Sequence, residues 1–286
     1  MTILITGANG GVSSALLSSL SGLTDTNLRA LVRDKAKAPT LPNVETYVGD
    51  LDEPSSLVGA FAGVDVLWLL TAMGPAAPHA SMNAVTAARN AGVEHVVRMS
   101  AVGAGYDAPT RNGRLHALSD AELQSSGINW TILRPHFFMQ NLLGAVNGNT
   151  LFSHLGNGRL GMIDVRDIAD SAAEVLTAPT AHAGQIYTLT GPESISMTHA
   201  SEILSDVYGA AIGYQPVDPY DMYETFLSFG MSPWDSAVSV EYGIAYGRDW
   251  GDFTTTAVQE LLGREPRTFG QFAADHAAAM RPGDAS

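Results

Sequence analysis

The chain has 286 residues, no cysteine and a formal net charge of −14. The missing cysteines exclude disulfides, thiolate nucleophiles and cysteine-held zinc. The acidic balance, with no basic block, argues against a nucleic-acid partner, because phosphate neutralisation dominates such binding. No apolar run reaches the roughly 18 residues of a membrane span, and the first residues lack the basic opening of a signal peptide. A cytoplasmic protein with no membrane partner is expected.

In chain order, residues 2–6 form a short apolar run that meets a turn, Gly7-Ala8-Asn9-Gly10-Gly11, and then a helix-like stretch over 12–20. Further strand-like runs cover 28–32, 44–48, 64–70, 95–100, 130–133 and 185–189. They are rich in Val, Ile and Leu with little alternation, as buried parallel strands are. Helix-like segments over 54–60, 81–91, 115–125 and 165–176 lie between most of them, and Gly92 and Gly127 stand where helices exit. This alternation predicts an α/β fold, a doubly wound parallel sheet with right-handed crossovers.

Beyond about residue 190, Pro, Tyr, Met and Trp become frequent and helices are expected over 197–208, 220–229, 254–262 and 268–280. The expected division is a dinucleotide-binding Rossmann domain over 1–190, with part of the substrate pocket drawn from 135–165. A smaller, mostly helical lobe over 191–286 would cover the substrate. The tail, 281–286, is expected to fray.

The N-terminal turn has the spacing G-x-x-G-x-x-S, through Gly7, Gly10 and Ser13. Set between a strand and a helix, such a turn lets the backbone approach a pyrophosphate, and the helix N-terminus offers free N–H groups and partial positive charge. Dinucleotide binding is therefore the reading, against a turn that only reverses the chain. Ser13 replaces the usual third glycine with another small residue.

Other short motifs join it: Leu31-Val32-Arg33-Asp34, Gly49-Asp50-Leu51, Val97-Arg98-Met99-Ser100, Thr131-Ile132-Leu133-Arg134-Pro135 and Val165-Arg166-Asp167-Ile168-Ala169. In this order the set resembles the NmrA-like branch of the atypical short-chain dehydrogenase/reductases. That branch holds NADPH-dependent reductases such as triphenylmethane and quinone reductases, and redox-sensing regulators that bind the cofactor without known turnover. The resemblance implies a phosphate turn made by Gly7, Asn9, Gly10, Gly11 and Val12. It implies that Asp50 and Leu51 flank the adenine, that Thr71, Ala72 and Met73 line the ribose and nicotinamide, and that Pro135, His136 and Phe137 close over the nicotinamide.

At the end of the second strand, NAD sites usually place an acid on the ribose diol. Here Arg33 stands there, followed by Lys35 and Lys37, and an arginine fork suits a 2′-phosphate. NADP(H) is expected over NAD(H), although Asp34 offers a carboxylate that can accept a diol.

The wider superfamily protonates its substrate with Tyr, backed by Lys one helical turn later. In the alignment that the resemblance implies, those positions are His116 and Asp120, which share a helix face at i, i+4. Asp120 is expected to raise the imidazole pKa, which would make His116 a proton donor; the bland alternative is a pocket-lining His116 and a solvated Asp120. Ser100 falls at the superfamily's serine position and Tyr106 is another candidate donor. Phe137, Phe138, Met139, Tyr220, Tyr223 and Trp234 are candidate pocket apolars, with Phe137 and Phe138 proposed as substrate contacts.

Gly156-Asn157-Gly158-Arg159-Leu160-Gly161 fits G-x-G-x-x-G but lacks a following helix start, and is expected to be a mobile loop. No metal site is expected, as no His-x-x-x-His occurs, and no G-x-S-x-G elbow suggests a hydrolase. The expected activity is NADPH-dependent hydride transfer to a small apolar or aromatic electrophile, a quinone or conjugated carbonyl. A non-catalytic NADP redox sensor is the alternative, and an isomerase or epimerase using bound cofactor is a third.

Overall fold

Every predicted strand run up to residue 189 forms a strand in the computed structural model, which describes residues 1–23 and 25–280. The tail expected to fray lies outside the described residues. In chain order the first elements are β1 (Thr2–Ile5), α1 (Gly11–Leu20), β2 (Asn27–Val32), β3 (Val44–Val48), α2 (Val58–Phe61), β4 (Val66–Leu69), α3 (Ala77–Ala91), β5 (His95–Met99), α4 (Arg111–Gln124) and β6 (Asn129–Pro135). Then come β7 (Val146–Asn147), β8 (Thr150–Ser153), α5 (Val165–Thr177), β9 (Gln185–Leu189), α6 (Met197–Tyr208), β10 (Gly213–Pro216) and α7 (Pro219–Ser228). The last are α8 (Pro233–Tyr246), α9 (Ala257–Leu262), α10 (Phe269–Asp275) and α11 (Ala277–Met280). The chain divides into two compact units, one of 1–107, 112–134 and 168–188, the other of 108–111, 135–167 and 189–286.

The first unit is built on a seven-stranded sheet of order β3-β2-β1-β4-β5-β6-β9. The pairings from β3 through β6 are all parallel. β1 has β2 on one side and β4 on the other, so the direction of winding reverses there. At such a switch point the loops after the strands diverge and leave room for a ligand. The strands are apolar because both faces are covered: β4, Val-Leu-Trp-Leu, is buried along its whole length. One core layer packs Leu4, Leu67, Leu69, Val96 and Ile132 against Phe61, Ala84 and Ala88. α3 starts four residues before its predicted start because Pro78, in its first turn, needs no N–H donor there. It ends on Gly92, at φ 76°, as predicted.

The second unit has its own core, with Leu151, Leu160, Met162, Leu204, Tyr246, Phe269 and Phe272 at its centre. Beside its helices it carries a three-stranded sheet, β10-β8-β7, whose strands are too short to read as periodic. Helix α8 was also hidden in the sequence. Pro233 occupies its first turn, after an N-cap in which Ser232 accepts from the Asp235 N–H at 3.1 Å. The helix expected over 268–280 is interrupted at His276, whose backbone N–H and ring Nδ1 both meet the Phe272 carbonyl at 3.0 Å.

The loop over 156–161 is not the mobile element its glycines suggested. Leu160 bridges to Ile195 and Gly251, and Arg159 is held by Asp249, Asp252 and the Ser194 carbonyl. Its glycines are packing positions: a Cβ on Gly158 would lie 1.8 Å from the Tyr246 carbonyl oxygen, and one on Gly161 2.4 Å from that of Phe253. Asp167, from the Val165-Arg166-Asp167 motif, is buried and takes the Arg267 backbone N–H at 2.7 Å and the Arg264 guanidinium at 2.9 Å. That motif anchors the segment leading into α10.

Candidate functional site

The N-terminal turn has the shape a pyrophosphate requires. Gly7 sits at φ 62°, where a Cβ would come within 2.8 Å of Leu70 Cδ2 and 3.3 Å of the Leu70 carbonyl oxygen, so only glycine is accommodated. The Gly10 N–H returns to the Gly7 carbonyl at 2.8 Å. Gly10 is the N-cap of α1 and supplies no side-chain cap, so the first amides of α1 have neither an intrahelical acceptor nor a capping side chain. A Cβ on Gly11 would meet nothing within 4 Å. An uncapped helix start facing open space fits a phosphate pair.

Behind the turn, Thr6 ties the ends of two strands together. Its hydroxyl donates to the Leu70 carbonyl at 2.8 Å and accepts the Leu70 N–H at 2.8 Å. Ser13, at the third glycine position, is fully buried. It donates to the Thr6 carbonyl and accepts from Trp68 Nε1, both at 3.0 Å. The serine is therefore a tie between α1, β1 and β4.

Arg33 lies just past β2, exposed and without an ion pair or side-chain hydrogen bond among the described residues. Asp34, the competing acid, is committed locally: its carboxylate accepts the Ala36 N–H at 2.9 Å and caps a short 3₁₀ turn. Asp50 and Leu51 follow β3; the Asp50 N–H donates to Ser56 Oγ at 2.9 Å, and the Leu51 carbonyl accepts from Asn83 at 2.8 Å. Thr71 is half-buried and Ala72 and Met73 are exposed, directly after β4. These residues follow β2, β3 and β4, on the same end of the sheet as the glycine turn after β1.

At the ends of β5 and β6 the structure assembles a charged cluster. Asp120, from α4, receives Arg98 Nε on Oδ1 at 2.9 Å. Its Oδ2 receives the Ser100 hydroxyl at 2.8 Å and Arg134 Nη2 at 2.9 Å. Arg98 also donates to Ser81 Oγ on α3 at 3.1 Å. Both Arg98 and Asp120 are almost wholly buried. Burial pulls the Arg98 pKa below the ordinary guanidinium value, and Asp120 opposes that pull.

His116 joins this cluster on terms opposite to those the sequence suggested. Arg98 Nη2 lies 3.4 Å from His116 Nδ1. Burial, then Arg98, then Arg134 disfavour the imidazolium, and Asp120 only partly offsets them, so the pKa is lowered to about 3. The expected rise fails because burial, first, and the neighbouring Arg98 and Arg134 outweigh the pull of Asp120, whose carboxylate also serves two guanidiniums and a hydroxyl. The Ser100 hydrogen is likewise committed to Asp120. Tyr106 is 72% exposed in the loop after β5.

Sequence reasoning gave Arg98 and Arg134 no role, although both stood in quoted motifs. The available signal was an arginine inside an otherwise apolar strand, which must be paired when buried.

Pro135, His136, Phe137 and Phe138 belong to the second unit. His136 is buried, accepts the Phe137 N–H on Nδ1 at 2.8 Å and packs against Tyr246 and Phe253; burial lowers its pKa to about 4. Phe137 is partly buried and meets Tyr246 edge-on at 5.7 Å, and Phe138 is partly buried. Tyr220 is 67% exposed. Among the described residues no group of three His, Asp or Glu side chains can hold a metal, and no helix is long and apolar enough to cross a membrane.

Comparison with known proteins bears on the turn directly. A family described as NAD(P)H-binding matches residues 7–179. The chain is 34% identical over 285 residues to NAD(P)H azoreductase of Xenophilus azovorans, spanning 97% of this chain and 99% of that protein. Its fold is similar to that of the NADPH-dependent quinone oxidoreductase of Escherichia coli solved with NADPH, at TM-score 0.85 and 23% identity over 96% of this chain and 99% of that one. It is similar too to triphenylmethane reductase of Citrobacter sp. solved with NADP(H), at TM-score 0.83 and 24% identity over 96% and 99% of the two chains. The glycine turn, the reversal of the sheet at β1 and these likenesses agree: this chain belongs to the NAD(P)H-binding family and carries its Rossmann-type sheet.

Proposed function

We propose that this protein is an NADPH-dependent reductase acting on a small apolar or aromatic electrophile, a quinone or conjugated carbonyl. The observation that carries the reading is the uncapped start of α1 behind Gly7 and Gly10, with the unpaired guanidinium of Arg33 at the end of the neighbouring strand. Gly7, Asn9, Gly10, Gly11 and Val12 hold the pyrophosphate, and Arg33 takes the 2′-phosphate. Asp50 and Leu51 flank the adenine, and Thr71, Ala72 and Met73 line the ribose and nicotinamide. The bound dinucleotide supplies hydride.

Hydride addition leaves negative charge on an oxygen or nitrogen of the substrate, which then takes a proton. The cluster at the ends of β5 and β6 carries two guanidiniums against one carboxylate, so it favours an electron-rich product. Water can supply the proton, so the missing Tyr/Lys pair does not prevent turnover. His116 and Tyr106 are the candidate hydrogen-bond donors, with Asp120 and Ser100 as their support.

The test is NADPH oxidation against a panel of quinones, enones, aldehydes and triphenylmethane dyes, with azo dyes added because of the azoreductase relative. Turnover of at least one conjugated electrophile is expected. Tight NADPH binding with no turnover of any would favour the sensor.

A further inference from the structure

The ring of His116 is surrounded by charge from three elements: Arg98 on β5, Arg134 on β6 and Asp120 on its own helix. Asp120 is engaged by Arg98, Arg134 and Ser100 on both oxygens. Among the described residues, the only side chain hydrogen-bonded to the ring is Arg98, whose Nη2 is 3.4 Å from Nδ1. A guanidinium donates and never accepts, so Nδ1 must present its lone pair. The one proton of the neutral ring then resides on Nε2. Nε2 makes no hydrogen bond among the described residues, and His116 as a whole is half-buried.

We propose that Arg98 is a positioning residue that locks His116 as the neutral Nε2–H tautomer, so that the ring offers a fixed hydrogen-bond donor and no transferable proton. Arg98 suits the task because its fork is itself held, by Asp120 at 2.9 Å and Ser81 at 3.1 Å, with 1% of the side chain exposed. A proton on Nδ1 would set one donor against another at that contact, and a ring protonated on both nitrogens would add a second cation beside the buried guanidinium. What the donor meets, the charge-bearing oxygen or nitrogen of the substrate, rests on the reductase reading; the tautomer does not.

The experiment is long-range proton–nitrogen NMR on the full chain with ring-labelled histidine, with His116 assigned from the spectrum of His116→Gln. From about pH 5 to about pH 8, His116 is expected to show a protonated Nε2 and an unprotonated Nδ1, while a free histidine titrates near 6.5. An Nδ1–H ring, a tautomer mixture or an imidazolium forming in that range would overturn the proposal. Arg98→Lys keeps the charge on Asp120 but removes the fork. It is expected to give mixed tautomers, an upward-moved titration and a kcat lower by about tenfold, the scale of one hydrogen bond, with NADPH affinity unchanged. A folded Arg98→Lys with an unaltered His116 signal would overturn it as well. If that variant does not fold, the wild-type spectrum still decides. A locked ring in a protein that binds NADPH but reduces none of the electrophiles would uphold the lock and sink the reductase reading, so the two fail separately.

Discussion

Arg98 and Asp120 face each other at 2.9 Å with 1% and 3% of their side chains exposed, which makes them a deeply buried ion pair at the end of the sheet. Both charges have left water, and each depends on the other. Asp120→Asn leaves Arg98 and Arg134 without their shared anion. Removing one partner of a buried pair costs about 3–5 kcal/mol, and urea unfolding of Asp120→Asn should show a loss of that size. Glu45→Gln is the contrast, because Glu45 is 65% exposed and 3.8 Å from Arg29. It should shift stability by less than about 0.5 kcal/mol. Equal small losses in both would show that Asp120 is not a structural counter-charge.

Cofactor choice turns on Arg33. The wild-type protein is expected to bind NADPH more tightly than NADH. Arg33→Ala should remove most of the difference, on the order of 1–3 kcal/mol for a charge-assisted contact. Asp34→Asn should leave the preference intact, because that carboxylate serves the turn over 35–37. Titration calorimetry with both cofactors checks this; equal wild-type affinities would remove the NADP assignment.

The phosphate turn has its own probe. Gly10→Val brings a side chain to the start of α1, where its Cβ would stand 3.2 Å from the Gly7 carbonyl oxygen. Dinucleotide affinity should collapse while circular dichroism still reports a folded α/β protein. Normal binding by the variant would place the pyrophosphate elsewhere.

Acid should destabilise the protein through its buried histidines. Burial lowers His95, His136 and His154 to about 4, and burial with Arg98 and Arg134 lowers His116 to about 3. An unfolded histidine titrates near 6.5, so below that pH the unfolded chain binds more protons than the folded one. Stability is then fully present above about pH 6.5 and falls as pH drops toward about 4. Melting temperatures measured across this window should decline steeply and flatten above neutrality. A constant Tm from about pH 7 to about pH 4 would contradict the burial of these rings.

Gly158→Ala tests whether the loop over 156–161 is packed or free. The added Cβ would overlap the Tyr246 carbonyl oxygen at 1.8 Å, so the backbone must move. The expected destabilisation is about 1–3 kcal/mol. A neutral result in thermal unfolding would restore the mobile-loop reading.

What the sequence by itself determined was local. The apolar runs, the glycine turn after β1 and the glycine at the end of α3 each declare their structure within a few residues. Side-chain periodicity and backbone sterics act over that range. The parallel sheet followed from their alternation. The true starts of α3 and α8 went unread, and in both a proline stands in the first turn. Three short strands of the second unit carried too few residues to show a period.

Only the tertiary structure decided the chemistry at the end of the sheet. Asp120 and His116 were legible as neighbours on one helix face, and that spacing alone argued for a protonated imidazole. The residues that reverse the argument arrive from elsewhere: Arg98 is 22 positions from Asp120 and 18 from His116, and Arg134 is 14 from Asp120. Folding brings two guanidiniums to one carboxylate, out of water, where charge–charge interactions are weakly screened and desolvation is severe. The sign of a histidine's pKa shift is set by that sum over space, which local spacing along the chain does not contain.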